Sequence, residues 1–227
     1  MFFLYYKLDN IFKMNTNNYC IKMNNYIYIS IPKTGTNSVH HILGNTNYNH
    51  ITASTIRKKI GNRLYDSKIQ FCFIRNPIDL VKSWYYYHKY SPNVKRQDVK
   101  DFYPNTIDDW VINMKCKTHW ETTEHKRFNA DWNIHQSPLF QHKWIMDDNN
   151  NMIVQNIFIF DNLEHEIEKM FGVKPKKENS SNKDTYSLNP ATENLIIDMF
   201  QTDISLYNHL CKDYQRKEEE SKSSKTI

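Results

Sequence analysis

The apolar positions fall into short continuous runs rather than long alternating ones, and each run ends in a polar turn followed by a helical spacing. Tyr26–Ile31, Ile69–Ile74 and Asn156–Phe160 are the three clearest runs. Short unbroken apolar segments rich in Ile, Phe and Tyr predict buried strands of a parallel sheet, and the helices that follow predict cover on both faces. Helices are expected at 37–43, 53–60, 77–90, 107–114, 138–146, 162–171 and 191–210. The fold class this implies is α/β, a three-layer α/β/α arrangement around a mostly parallel central sheet. Ligands of such folds belong at the carboxyl ends of the strands.

Two strand ends carry chemistry. After the first comes Pro32-Lys33-Thr34-Gly35-Thr36-Asn37-Ser38, which sets one cation, one glycine and several short donors at the start of a helix, a combination that can wrap a phosphate. It is not a Walker A loop, because Lys33 precedes the only glycine of the loop and no GxxxxGK[ST] can be drawn. After the second strand comes Arg75, then Asn76 as an N-cap and Pro77 at the first helical position, with Ser83 in the second turn. A guanidinium and a hydroxyl at that spacing can hold a second phosphate.

With both motifs in hand, the chain resembles the sulfotransferases that use 3′-phosphoadenosine 5′-phosphosulfate (PAPS). PKTGTNS is similar to the family loop for the 5′-phosphosulfate, and RNPIDLVKSWY to its 3′-phosphate site. Between them, NHITASTIRKKIG resembles the His-x-Thr-Ala segment of carbohydrate-type members, and IFIFDNLEHEIEKMFGV their later strand with an acidic residue, Asn and Leu. The resemblance runs from about Tyr26 to about Leu210. It departs at Asn37, where the family carries a hydroxyl residue, and at Asp161, where it carries glutamate.

The resemblance implies transfer of a sulfuryl group from PAPS to an acceptor hydroxyl, without a metal. Lys33 would stabilise the leaving phosphate oxygen; Thr34, Gly35, Thr36, Asn37 and Ser38 would hold the 5′-phosphate; Arg75 and Ser83 would hold the 3′-phosphate. His50 is the candidate general base, since an imidazole titrates near neutrality. Its bland alternative is a histidine that orients the next helix. The tandem His40 and His41 read as structural, whereas His119, His125 and His135 are candidates for lining an acceptor cleft. The insertion 91–137, with Trp110, Trp120 and Trp132, suits either sugar recognition or a local satellite core, and Asn179, Ser180, Ser181 and Lys183 fall where sulfotransferases close a loop over the nucleotide. Carbohydrate is the favoured acceptor, ahead of a small alcohol or phenol and of a protein tyrosine.

At 227 residues the chain suits one core burying roughly 70% of its unfolded surface. The expected organisation is an extension or edge segment at 1–24, one domain at 25–211 and a charged tail without regular structure at 212–227. Residues 30–100 hold 12 Lys and Arg against 3 acidic residues, a balance of +9, so with +5 overall the remainder sums to −4. The positive charge surrounds the two proposed phosphate sites and would attract an anionic donor or an anionic polysaccharide; Arg57, Lys58 and Lys59 suit that role and a plain solvated helix face equally. The 4 Gly against abundant Asn, Lys, Ile and Tyr reflect base composition more than chemistry.

Four widely spaced cysteines contain no CxxC pair, which argues against a zinc site and favours a reducing, cytoplasmic compartment. The opening MFFLYYKL is too short for a signal-peptide core and far short of the ~20 apolar residues of a membrane span; Met14 and Met23 are alternative starts. Two other readings stay open beside the sulfotransferase: a P-loop small-molecule kinase, which needs Mg²⁺, and a sulfotransferase-like protein that binds nucleotide without turnover. A nucleic-acid-binding role is disfavoured, because no known module is visible and the basic residues centre on the phosphate loops.

Overall fold

The computed structural model describes residues 25–44, 50–92, 94–95, 97–116, 139–175 and 187–223. The N-terminal extension, His119, His125, His135, Trp120, Trp132 and the 179–183 loop lie outside them. The chain divides into two compact units, one made of residues 1–73 and 144–178 and the other of residues 74–143 and 179–227. One crossing between them falls at the end of an apolar strand rather than in a polar linker.

The first unit holds a small parallel sheet of three strands in the order β1-β2-β3. Strand β1 is Tyr26–Tyr28, β2 is Ile69–Ile74 and β3 is Asn156–Ile159. Tyr26 pairs with Ile69 and Tyr28 with Phe71, and the Ile29 amide continues the ladder to the Phe71 carbonyl at 2.9 Å. In β2 every residue from Gln70 to Ile74 is buried, so the strand is covered on both faces, as its unbroken apolar run predicts. The one polar member, Gln70, has its side-chain amide satisfied by the Tyr65 and Lys68 carbonyls.

Helices α1 (Thr36–Ile42), α2 (Ala53–Ile60) and α3 (Asn62–Asp66) connect β1 to β2. Thr52 caps α2, its hydroxyl oxygen accepting from the Thr55 amide at 3.3 Å. Beyond β2 come α4 (Pro77–Tyr90), α5 (Gln97–Phe102), α6 (Ile107–Cys116) and the single turn α7 (His142–Ile145). After β3 a 3-10 turn at Phe160–Asn162 leads into α8 (Leu163–Phe171). Tyr28, Val39, Phe71, Phe73, Leu163 and Ile167 make the core of the first unit.

The second unit packs α4 and α6 with α9 (Pro190–Met199) and the start of α10 (Gln201–Ser223). Its core is aromatic, with Trp84, Tyr85, Tyr103 and Trp110 buried together. Their polar ends are met inside it: Trp84 Nε1 donates to Tyr103 Oη at 3.0 Å and Tyr85 Oη to the Pro104 carbonyl at 2.6 Å. Trp110, 4% exposed, therefore belongs to the satellite-core alternative rather than to a sugar platform.

Three helical expectations are corrected, the first being that the helix expected at 138–146 is only the single turn His142–Ile145. The single helix at 191–210 is two helices, broken at Phe200, whose backbone leaves the helical region (φ −111°, ψ 28°) while its ring is buried. The tail expected to lack regular structure from Lys212 is helical to Ser223. That segment has no apolar stripe, but it also has no Gly or Pro and is rich in Lys, Glu, Gln and Arg, which propagate a helix already begun at Gln201. An Arg216–Asp213 pair one turn apart, at 3.3 Å, adds to it.

Candidate functional site

The loop between β1 and α1 is built around Ser30 and the Ile31 carbonyl. That carbonyl accepts from Thr34 Oγ1 at 2.8 Å and from Thr36 Oγ1 at 3.0 Å. Both hydroxyl protons are thus turned into the loop, and what these threonines can offer a ligand is backbone N–H rather than side chain. Helix α1 begins at Thr36 with Gly35 as N-cap and no side-chain cap. Gly35 has φ 79°, and a Cβ there would fall on Leu163 Cδ1 and lie 2.9 Å from Phe160 Cε2. The turn after β3 therefore presses directly on the loop glycine. Lys33 sits at φ 66°, a left-handed conformation that costs a non-glycine residue about 1–2 kcal/mol. Strain of that kind persists only where the surroundings hold it. Asn37 and Ser38 follow in the first turn of α1, half-buried.

Two histidines converge on Ser30. His50 Nδ1 lies 2.8 Å from the Ser30 carbonyl oxygen and 3.3 Å from Ser30 Oγ. A carbonyl only accepts, so Nδ1 carries the proton and the Nε2 lone pair is the basic one. His40 Nε2 lies 3.4 Å from Ser30 Oγ, which donates to Thr36 Oγ1 at 3.3 Å. The proton order consistent with these contacts runs from His40 Nε2 to Ser30, Thr36 and the Ile31 carbonyl. Burial lowers the pKa of His50, partly opposed by its bond to Ser30, and the Lys33 ammonium lowers it further. His40 is pushed down to about 4, first by burial and then by His50. Both imidazoles are neutral at pH 7. The edge of His50 meets Trp144, ring centres 6.3 Å apart.

Lys33, Thr34, Thr36 and His50 are thus brought into one cluster. Ser30, which the sequence did not mark, and His40, which it marked as structural, belong to it as well. The signal for Ser30 was a hydroxyl inside the apolar run YIYISI; for His40 it was its place one turn after Thr36 on the buried side of α1. Two of the three basic residues of α2 are used locally: Lys58 Nζ lies 2.5 Å from Asp148 Oδ2, and Arg57 Nη2 lies 3.2 Å from Asp66 Oδ2. Ser54 also donates to Asp148 at 3.0 Å.

The second motif forms as its punctuation predicts. Asn76 caps α4, its Oδ1 accepting from the Ile78 amide at 2.9 Å, and Pro77 opens the helix. Ser83 lies in the second turn, half-buried. Arg75, directly after β2, is 8% exposed. Its amide donates to Gln141 Oε1 and its carbonyl accepts from Gln141 Nε2, both at 2.8 Å. Nothing in the sequence marked Gln141. Asp161, in the 3-10 turn, is exposed.

Among the described residues no group of three or more His, Cys, Asp or Glu could hold a metal ion, and no helix is long and apolar enough to cross a membrane.

Neither the protein-family models, nor the curated proteins, nor the solved structures contain a match to this chain.

Proposed function

We propose that this protein is a sulfotransferase that moves a sulfuryl group from PAPS to an acceptor hydroxyl, with carbohydrate the favoured acceptor class. The observation that carries the reading is His50: its Nδ1–H donates to the Ser30 carbonyl at 2.8 Å, which fixes the tautomer with its basic lone pair on Nε2, in a ring that feels the charge of the loop lysine. A neutral imidazole held by a backbone carbonyl is the arrangement a general base needs. The PKTGTNS and RNPIDLVKSWY motifs supply the donor class. On the same reading, β1, its loop and α1 are a phosphate-binding strand-loop-helix within a three-layer α/β/α fold. The expected cytoplasmic location rests on the cysteines, of which Cys72 and Cys211 are free thiols.

PAPS fits the donor set as a polyanion. Lys33 brings an ammonium, the loop brings backbone N–H groups and a glycine that admits close approach, and Arg75 with Ser83 would take the 3′-phosphate. In the reaction His50 Nε2 takes the acceptor hydroxyl proton as the acceptor oxygen bonds to sulfur. The bond from sulfur to the bridging phosphate oxygen breaks, and the Lys33 ammonium stabilises the charge left on that oxygen. Adenosine 3′,5′-bisphosphate and the sulfated acceptor leave. The environment that lowers the His50 pKa then favours loss of its proton to water and resets the base.

The kinase reading is less well supported, since Lys33 stands before Gly35 instead of after a second glycine. The test is transfer of label from sulfur-labelled PAPS, without added metal, to a panel of neutral and anionic polysaccharides, small alcohols and phenols. Label in a polysaccharide fraction that is lost in Lys33→Ala supports the reading. Transfer from ATP with Mg²⁺ instead of PAPS would overturn it.

A further inference from the structure

We infer that Gln141, held by the buried carboxylate of Asp203, is the residue that positions Arg75 for the 3′-phosphate, an inference that rests on the role proposed for Arg75. Arg75 stands where the strand has ended and the helix cap has not begun, so neither ladder nor helix fixes its backbone. The Gln141 side chain replaces the missing neighbour. Its carboxamide takes the Arg75 N–H and gives to the Arg75 C=O, both at 2.8 Å, as the peptide of an adjoining strand would. Fixing both backbone groups fixes the direction in which the Arg75 side chain leaves the chain. One residue later the Asn76 cap locks the next step, so the arginine is clamped on both sides.

Gln141 is itself held. Its amide donates to Asp203 Oδ2 at 3.0 Å, while Asp203 Oδ1 accepts from the His142 amide at 2.7 Å and from His142 Nδ1 at 2.9 Å. Both Gln141 and Asp203 are 0% exposed. A fully buried carboxylate answered by three N–H donors is a rigid anchor, because charge-assisted hydrogen bonds in a dry site are strong and directional. The break at Phe200 is what brings it there, since α10 restarts at Gln201 with Asp203 in its first turn. The order of support is Asp203, Gln141, the Arg75 backbone, and then the guanidinium.

Calorimetric titration of the full chain with adenosine 3′,5′-bisphosphate and with adenosine 5′-phosphate tests this, because the ratio of the two affinities isolates the 3′-phosphate. Arg75→Ala serves as the control for the parent reading. Gln141→Met, which keeps volume and removes both hydrogen bonds, is expected to cut that ratio by about tenfold, ~1.4 kcal/mol, with adenosine 5′-phosphate affinity unchanged. Gln141→Glu, which can still accept from the Arg75 amide, should lose less, and it carries the test if the methionine variant does not fold. An unchanged ratio in the Gln141 variants, with a collapsed ratio in Arg75→Ala, overturns the inference and leaves the 3′-phosphate site standing. Equal loss for both nucleotides in the Gln141 variants also overturns it, since that is a general structural effect. An unchanged ratio in Arg75→Ala overturns both.

Discussion

Replacing Gly35 by alanine tests how the loop is held. Its φ of 79° lies in the left-handed region, which costs an alanine about 1–2 kcal/mol. The new Cβ would also meet Leu163 Cδ1 and come within 2.9 Å of Phe160 Cε2, and overpacking of that kind costs about 1–3 kcal/mol. The stiffer unfolded chain returns about 0.4–1 kcal/mol. The net loss is about 1–4.5 kcal/mol, which for a chain of this size lowers the thermal midpoint by roughly 2–18 °C. Gly44 provides the internal standard. Its φ is 63°, but nothing lies within 4 Å of a Cβ built there, so Gly44→Ala pays the backbone term alone, about 0–1.5 kcal/mol. Thermal and urea unfolding of both variants therefore separate crowding from conformation. Equal midpoints for the two would refute the claim that Phe160 and Leu163 close on the loop.

Three further outcomes follow from the same geometry. His50→Ala should keep adenosine 3′,5′-bisphosphate binding while kcat falls about 10²–10⁴-fold, and in the parent protein the acid limb of the rate profile should lie below pH 6.5 because burial lowers the pKa of the base; normal transfer by the variant removes His50 from that role. His40 has a folded pKa of about 4 against 6.5, so the unfolded state binds more protons between those values and stability must fall as pH drops from 6.5 to 4, by about 3 kcal/mol; His40→Gln should flatten urea midpoints across that window, and an unchanged slope would contradict the burial argument. Cys72 is fully buried and its thiol pKa is raised by that burial, so with Cys20, Cys116 and Cys211 replaced by serine the folded protein should resist a thiol reagent that reacts at once in urea; rapid labelling of the folded form would refute its place inside β2.

What could be read from the chain was what is encoded locally. The apolar run of β2, the Asn76–Pro77 start of α4 and the 53–60 span of α2 rest on neighbours within a turn, and they form where the pattern put them. The α10 tail was misread because helix propensity in a polar segment leaves no periodic trace. The Gln141–Asp203 anchor was invisible for a different reason: its partners are 62 residues apart and neither belongs to a motif. In the loop, sequence reasoning picked Lys33 and His50 but not Ser30, the residue on which both histidines converge. It also counted the Thr34 and Thr36 hydroxyls as ligand donors, whereas their protons go to the Ile31 carbonyl. Burial decides such matters, and it comes only with the tertiary fold.

The donor class is the central claim, and calorimetric titration tests it most directly because no acceptor need be known. Tighter binding of adenosine 3′,5′-bisphosphate in the absence of metal than of ATP with Mg²⁺, in the micromolar range, is the predicted result. Preference for ATP with Mg²⁺, or binding of neither, would contradict the sulfotransferase account.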